Sequence, residues 1–162
     1  FMGEPVSRSL WAWGGAGGCG EESAACVPWL EVILFANRLS ISEGLTPAYY
    51  HDEAHLFPYS DRGGAVHWMR DADGWRLPTE AEWLHGVSEP AGWEWTWDTY
   101  SDPYDGVERI QDADGPRTVR GPEGRSARVA PSDDLGFRLV RDVPPEPPVV
   151  EGELIRPHRE FR

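Results

Sequence analysis

The chain has 162 residues, which is enough for one domain with a sizeable hydrophobic core. Its formal charge is −13, and its fifteen basic residues are all Arg. This balance argues against nucleic acid and anionic membranes as partners, because both require a positive surface. No stretch approaches the roughly 20 apolar residues of a membrane span, and the start of the chain has no basic and then apolar leader. We therefore expect a cytoplasmic protein.

The first half of the chain predicts one clear helix among loops. Residues 5–13, PVSRSLWAW, predict a strand that turns into a short helix. Residues 28–39, PWLEVILFANRL, predict a helix, because apolar residues recur at three- and four-residue steps and Pro suits the first helical position. Residues 49–64 are polar and aromatic without a clear period, which predicts a long loop. Residues 66–78, VHWMRDADGWRLP, then predict a hairpin turned by Asp73-Gly74.

Residues 74–83, GWRLPTEAEW, predict a tight strand-to-helix corner. The letters WRL alternate apolar and polar residues, the pattern of a half-buried strand, and the Pro after them stops a strand. Thr79 and Glu82 have the spacing of a capping box, so a helix should start there. We expect Trp83 and Leu84 to be the first large side chains of that helix to face a core.

The second half predicts further strands and a tail. Residues 93–98, WEWTWD, alternate Trp with polar residues and predict a strand with an aromatic face, and RTVRG, SARVA and GFRLVR predict three more near residues 117, 126 and 136. From residue 143 the chain is rich in Pro and Glu, which indicates an extended tail. We thus expect one α+β domain over residues 1–142 and a tail over 143–162. Because the chain begins with Phe, we expect a processed chain or a fragment that lacks the domain's first residues.

Several separated segments resemble the formylglycine-generating enzyme, or sulfatase-modifying factor, family. GWRLPTEAEW is similar to the family signature GYRLPTEAEWE. The other similar segments follow the family's order and are PVSRSLW, CVPWLEVILFANRLSISEGLTPAY, WEWTWD, RTVRG, RSAR and GFRLVR. Together they lie between residues 5 and 141. The resemblance implies a C-type lectin-like fold, with a twisted mixed sheet, two short helices and much irregular loop.

The resemblance also implies metal chemistry whose ligands this chain largely lacks. Active family members bind Cu(I) through two cysteines in the loop before the RSA strand and oxidise a substrate Cys. Here the corresponding residues 120–128, RGPEGRSAR, contain no Cys, and thiolate is the ligand that selects Cu(I). We therefore expect no copper. The family's calcium site is matched at Glu94 alone, whereas calcium takes six to eight oxygens. The expectation that calcium binds therefore depends on Glu94 alone, and no other cofactor is expected.

Two other groups of metal-binding residue types were considered. His51 and His55 in HDEAH could bind zinc if a helical turn formed, but the Glu of the zincin motif is replaced by Asp52 and the apolar pattern of a buried helix is absent, which favours a solvated loop. Cys19 and Cys26 are interpreted as a structural pair, which could form a disulfide, or as two separate small apolar side chains.

Arg residues cluster in the last part of the domain. The cluster comprises Arg117, Arg120, Arg125, Arg128, Arg138 and Arg141. It predicts an ion-pair network with Asp98, Asp133 or Asp134, and the alternative is an anion pocket built from guanidinium groups. The candidate binding residues around the aromatic strand are Trp93, Glu94, Trp95, Asp98, Arg120 and Arg125.

The leading hypothesis is a non-catalytic binding module. Loops on a rigid sheet carry recognition, and the core motifs are kept while the metal loop is lost. The expected partner is a protein or peptide, which could be another domain of the same protein and could be basic. The alternative is a copper- or iron-dependent oxidoreductase of the family with an altered site, in which Glu94, Asp98 or Glu123 would do acid–base work.

Overall fold

The computed structural model describes residues 2–5, 26–61, 63–103, 111–112 and 115–143. The helices in these ranges are α1 (Trp29–Ser42) and α2 (Glu80–Gly86). The strands are β1 (Met2–Pro5), β2 (Tyr49–Tyr50), β3 (Ala65–Trp68), β4 (Trp93–Thr99), β5 (Gln111–Asp112), β6 (Arg117–Gly121), β7 (Gly124–Arg128), β8 (Leu135–Gly136) and β9 (Arg138–Val140). The predictions for residues 6–13, Cys19 and the tail from residue 144 lie outside the described residues.

Helix α1 contributes its apolar face to the hydrophobic core. Its first helical residue is Trp29, and Pro28 precedes it as the N-cap with extended backbone, so the predicted start is wrong by one residue. The helix continues to Ser42 and ends where Gly44 takes a φ of +72°, the left-handed conformation that glycine adopts readily. The predicted apolar face is confirmed, because its members are all buried: Trp29, Val32, Ile33, Ala36 and Leu39.

The strands in the described ranges form three sheets, of which the central one is mixed and the other two are antiparallel. The central sheet has the order β7-β6-β4-β8, a second sheet has the order β2-β3-β5, and β1 pairs with β9. Strand β4 runs antiparallel to β6 and parallel to β8, while the other pairs are antiparallel. The strands predicted at 93–98 and near residues 117, 126 and 136 are therefore confirmed, and so is the α+β class with a mixed sheet.

Strand β4 lies at the centre of the core. Trp95 and Trp97 are buried, as the predicted aromatic face requires. The Trp97 ring lies 5.6 Å from that of Trp29 and 5.1 Å from that of Tyr49, between ring centroids. The indole N–H of Trp95 donates to the Val27 carbonyl oxygen at 2.6 Å. Each buried indole adds a large apolar area, so these residues dominate the core of this small domain.

The predicted hairpin over residues 66–78 is wrong. Strand β3 pairs with β2 and β5, so part of the predicted loop 49–64 is a short strand, and Arg76 instead forms an isolated bridge with Val140. Asp73 Oδ1 accepts a hydrogen bond from the Thr46 amide at 2.9 Å, which is the main cause that lowers the pKa of Asp73. Asp73-Gly74 thus packs against the end of α1 and the residues that follow it, and does not form a hairpin turn.

The strand-to-helix corner is confirmed at its capping box. Thr79 Oγ1 accepts from the Glu82 amide at 3.2 Å, and Glu82 Oε2 accepts from the Thr79 amide at 2.8 Å. Trp83 is buried as expected, but Leu84 is 51% exposed, because one side of this seven-residue helix faces the sheet and the next side chain points away. Arg76, expected on the exposed face of a strand, is buried.

Within the described ranges, neither helix combines the length and the apolar character needed to cross a bilayer.

Gly74→Ala should destabilise the fold, because a Cβ atom there would collide with the Thr46 carbonyl oxygen and lie 2.6 Å from Ser40 Oγ. Since backbone must move, we expect a loss of about 2–3 kcal/mol in the free energy of unfolding. Urea unfolding followed by tryptophan fluorescence measures the change. The control is Gly136→Ala, where nothing lies within 4 Å of the added methyl group. Equal stability of the two variants would contradict the account.

Candidate functional site

Four of the six predicted site residues, Glu94, Asp98, Arg120 and Arg125, lie on the side of the central sheet that α2 covers, whereas Trp93 and Trp95 do not. Glu94 on β4 lies directly opposite Arg120 on β6, and Arg120 lies opposite Arg125 on β7. Residues that face each other across paired strands share one face of a sheet. This face is opposite the one on which Trp95 and Trp97 enter the core, because side chains alternate along β4. The sequence therefore named residues that the fold brings together.

A buried ion pair lies at the centre of this face. Glu94 accepts from Arg138 Nε at 2.7 Å and from Arg138 Nη2 at 2.8 Å, one bond to each carboxylate oxygen. The indole N–H of Trp83 donates to Glu94 Oε2 at 2.7 Å. Glu94 is 4% and Arg138 8% exposed. The pair joins β4 to β9, and Trp83 adds α2 to the same carboxylate.

A second buried acid, Glu80, holds the start of α2 to the hairpin of β6 and β7. Glu80 accepts from Arg125 Nε at 2.8 Å and from Arg125 Nη2 at 3.2 Å, and Arg120 Nη1 lies 3.6 Å from Glu80 Oε1. Asp98 Oδ2 accepts from the Glu80 amide at 2.6 Å. Arg125 also donates to the Ser101 carbonyl oxygen at 2.7 Å. We call Glu80, Glu94, Arg120, Arg125 and Arg138 the ion-pair network.

The predicted Arg network is thus present, and it includes two acids, Glu80 and Glu94, that the sequence did not name as Arg partners. The pairing predicted for Asp98, Asp133 and Asp134 stays a prediction. Asp98 also binds the first amide of α2. No local spacing could have found the two unnamed acids, because Glu80 is 45 residues from Arg125 and Glu94 is 44 residues from Arg138 along the chain.

Arg76 forms a third charged centre at the corner. Its guanidinium donates to both oxygens of Glu82 at 2.8 Å and to Asp142 at 3.1 Å and 3.2 Å. Burial alone would raise the pKa of Glu82, but the hydrogen bonds from Arg76 and the Thr79 amide outweigh it and lower the pKa. A cleft of about 380 Å³ lies beside this centre, lined by Arg76, Ala81, Glu82, His85, Gly86, Val140, Arg141 and Asp142.

Trp93 and Trp95, the two Trp residues proposed for binding, both contribute to packing, but Trp95 is more deeply buried than Trp93. Trp95 is completely buried and lies in the core, so it offers no surface to a ligand. Trp93 is partly buried and packs against Gly121, where a Cβ atom would lie 2.7 Å from the indole ring. The Arg128 guanidinium lies 5.9 Å from the Trp93 ring centre. The Trp side chains of β4 therefore contribute mainly to packing.

The residues in place of the family's metal loop do not fit a copper site. Gly121 and Gly124 face each other at the end of β6 and β7, and Pro122-Glu123 alone connects them. Neither residue offers a soft ligand. Cys26 is in a disulfide and so presents no thiolate, while Cys19 lies outside the described residues. Among the described residues no group of three or more His, Cys, Asp and Glu is arranged to hold a metal ion.

His51 and His55 lie in a loop that has its own internal contacts. His51 Nε2 accepts from the Ser60 amide at 3.3 Å and lies 3.3 Å from Asp61 Oδ1. The His55 ring packs edge-on against the Tyr50 ring, with 5.2 Å between centroids. Residue 55 has a φ of +54°, so a helical turn that would align the two imidazoles is not formed. The loop prediction is confirmed for these residues.

The described architecture, with two helices packed on a curled mixed sheet, is a C-type lectin-like fold. The chain resembles the structure titled "Crystal Structure of CarF" with a TM-score of 0.60 and 18% identity over 84% of this chain and 81% of that one. It resembles Treponema denticola variable protein 1 with a TM-score of 0.61 and 21% identity over 85% and 82%. Identities this low show the fold alone. No family model and no curated protein matches the sequence.

Arg138→Met should be strongly destabilising, because it leaves the Glu94 carboxylate buried without its cation. Breaking one partner of a buried pair costs about 3–5 kcal/mol. The double variant Arg138→Met, Glu94→Gln removes the charge and keeps an acceptor for Trp83, so it should be more stable than Arg138→Met alone. Urea unfolding of the two variants and wild type tests this order, and a single variant as stable as wild type would refute it.

The difference in stability between Glu82→Gln and wild type should depend on pH. The pKa of Glu82 in the folded protein lies below its ordinary value of 4.5, so its ionised form stabilises the fold above that pH, and this contribution is lost as the pH falls through the lowered pKa. The Tm deficit of Glu82→Gln against wild type should therefore be largest near neutral pH and shrink in acid. Glu53→Gln, at an exposed position, should show no such trend. A pH-independent deficit for Glu82→Gln would contradict the prediction.

Proposed function

We propose that this chain is a non-catalytic binding module, built on a scaffold of the formylglycine-generating enzyme type, that contacts a protein or peptide partner. One observation carries the proposal. Glu80 at the start of α2 and Glu94 beneath that helix are buried and bound to Arg side chains, and the turn at Pro122-Glu123 offers no soft ligand for copper. The region that would do chemistry is therefore used for stability.

The family assignment rests on the order of the motifs, and their positions in the fold support it. TEAEW forms the capping box and α2, WEWTW forms β4, and RTVRG with GRSAR forms the hairpin of β6 and β7. Each motif contributes to the contacts that hold α2 on the sheet. A chain that keeps these contacts and shortens the hairpin turn keeps the scaffold and loses the copper ligands.

The charge of the chain favours a basic partner. The formal charge of −13 attracts cationic segments over the range of a Debye length, about 8 Å at physiological ionic strength. Because Glu80, Glu82 and Glu94 are paired with Arg, other carboxylates have to carry the surface potential. Recognition through apolar and charged side chains on loops is typical of a scaffold whose sheet holds the loop ends.

The test combines binding and chemistry on the same purified full chain. A display library of short random peptides is selected on the immobilised protein, and oxygen consumption is measured after loading with copper or iron in the presence of a cysteine-containing peptide. We expect a peptide consensus and no oxygen consumption above that of the free metal. Metal-dependent turnover of the cysteine peptide would overturn the proposal and favour an oxidoreductase, and the absence of any enriched peptide would overturn the binding function.

A further inference from the structure

Residues 51–61, between β2 and β3, present two neighbouring apolar side chains to solvent. Leu56 is 69% and Phe57 67% exposed. Single exposed apolar residues are common and mean little. Two in succession on one loop, including an aromatic ring, are the kind of side chains that act as anchors in interfaces. Whether they are incidental depends on how the loop is held.

Hydrogen bonds within the loop fix the backbone of both residues. Asp52 Oδ1 accepts from the Leu56 amide at 3.2 Å, and Asp52 Oδ2 accepts from the Phe57 amide at 3.1 Å. The His51 amide donates to the Phe57 carbonyl oxygen at 2.9 Å. His55 stands at a positive φ, which is uncommon for a residue with a side chain. The loop is thereby closed in a way that keeps Leu56 and Phe57 outside.

The ends of the loop are clamped to the core. The Asn37 side-chain amide donates to the Tyr49 carbonyl oxygen at 2.8 Å and to the Tyr59 carbonyl oxygen at 3.0 Å. Tyr59 is buried, and the His51 ring packs on it with 4.3 Å between centroids. A loop held at both ends loses little conformational entropy on binding, which favours affinity. Leu56 and Phe57 therefore lie on a loop whose conformation is already fixed before a partner binds.

The charged residues of this loop are mainly acidic. Residues 51–61 contain Asp52, Glu53 and Asp61 and no Arg or Lys, and the next residue, Arg62, lies outside the described residues. Glu53 is exposed, and the Asp61 side chain is 82% exposed. A loop that carries both exposed apolar side chains and exposed acids is complementary to a segment of apolar side chains and cations.

We infer that residues 51–61 are the partner-contacting surface, with Leu56 and Phe57 as anchors and Glu53 and Asp61 as the rim, and that the partner is a peptide segment in which apolar side chains alternate with Arg or Lys. This inference rests on the proposed function and locates it. It places recognition on a loop that contains none of the residues of the ion-pair network.

The experiment uses two peptide display libraries and four forms of the full chain. One library mixes Arg and Lys with Leu, Phe and Trp, and the other has Asp and Glu in place of the basic residues. The forms are wild type, Leu56→Ser with Phe57→Ser, Glu53→Gln with Asp61→Asn, and Val129→Ser. The last is the matched control, because Val129 is as exposed as Leu56 but lies outside the loop.

We expect enrichment from the basic library alone. Peptides recovered on wild type should bind the Leu56, Phe57 variant about tenfold or more weakly, as for interface anchors, and bind Val129→Ser unchanged. The Glu53, Asp61 variant should bind more weakly and with less dependence on salt. Circular dichroism shows whether each variant is folded, and a folded variant with intact binding decides against the site.

Four outcomes would overturn the inference. Enrichment from the acidic library, or equal binding by the Leu56, Phe57 variant, would place the surface or its chemistry elsewhere while the proposed function stands. Self-association of wild type that the Leu56, Phe57 variant abolishes, measured by sedimentation, would make a second copy of the chain the occupant. Failure of the fully random library as well would remove the proposed function itself.

Discussion

The bond between Arg138 and Glu94 is the constraint on which the arrangement of this domain depends. It joins the start of β4 to β9, and the same carboxylate accepts the indole N–H of Trp83 from α2. Removing two charges from water is expensive, so such a pair stabilises a fold only when both groups are fully hydrogen-bonded. Here three donors converge on one carboxylate. These contacts fix the positions of α2, the central sheet and β9 relative to one another.

The choice of Arg follows from this geometry. At Arg76, Arg125 and Arg138 the guanidinium meets a carboxylate with two nitrogens, a planar match that the single ammonium of Lys cannot make. The acids so used are drawn from α2 and β4, and their contacts with Arg need no metal ion.

The parts of the fold that depend on nearby residues were predictable from the sequence. The capping box of Thr79 and Glu82, the apolar face of α1 and the strand β4 follow from spacings of a few residues. The hairpin was predicted wrongly because Gly74 is needed for a close approach to Ser40 and Thr46, which no local pattern reveals. Likewise the acids that bind Arg125 and Arg138 are distant in sequence, and the exposure of Leu56 and Phe57 depends on a loop without periodicity.

The two-residue turn at Pro122-Glu123 has a consequence for how such a domain can change. Its ends are fixed by the pairing of Gly121 with Gly124, and both turn residues are exposed. Lengthening a flexible loop costs about 0.6 kcal/mol for each doubling of its length. New sequence inserted at this point would therefore leave the sheet nearly as stable as before. The hairpin is a place where evolution, or an engineer, could graft a binding or metal-holding segment onto an intact scaffold.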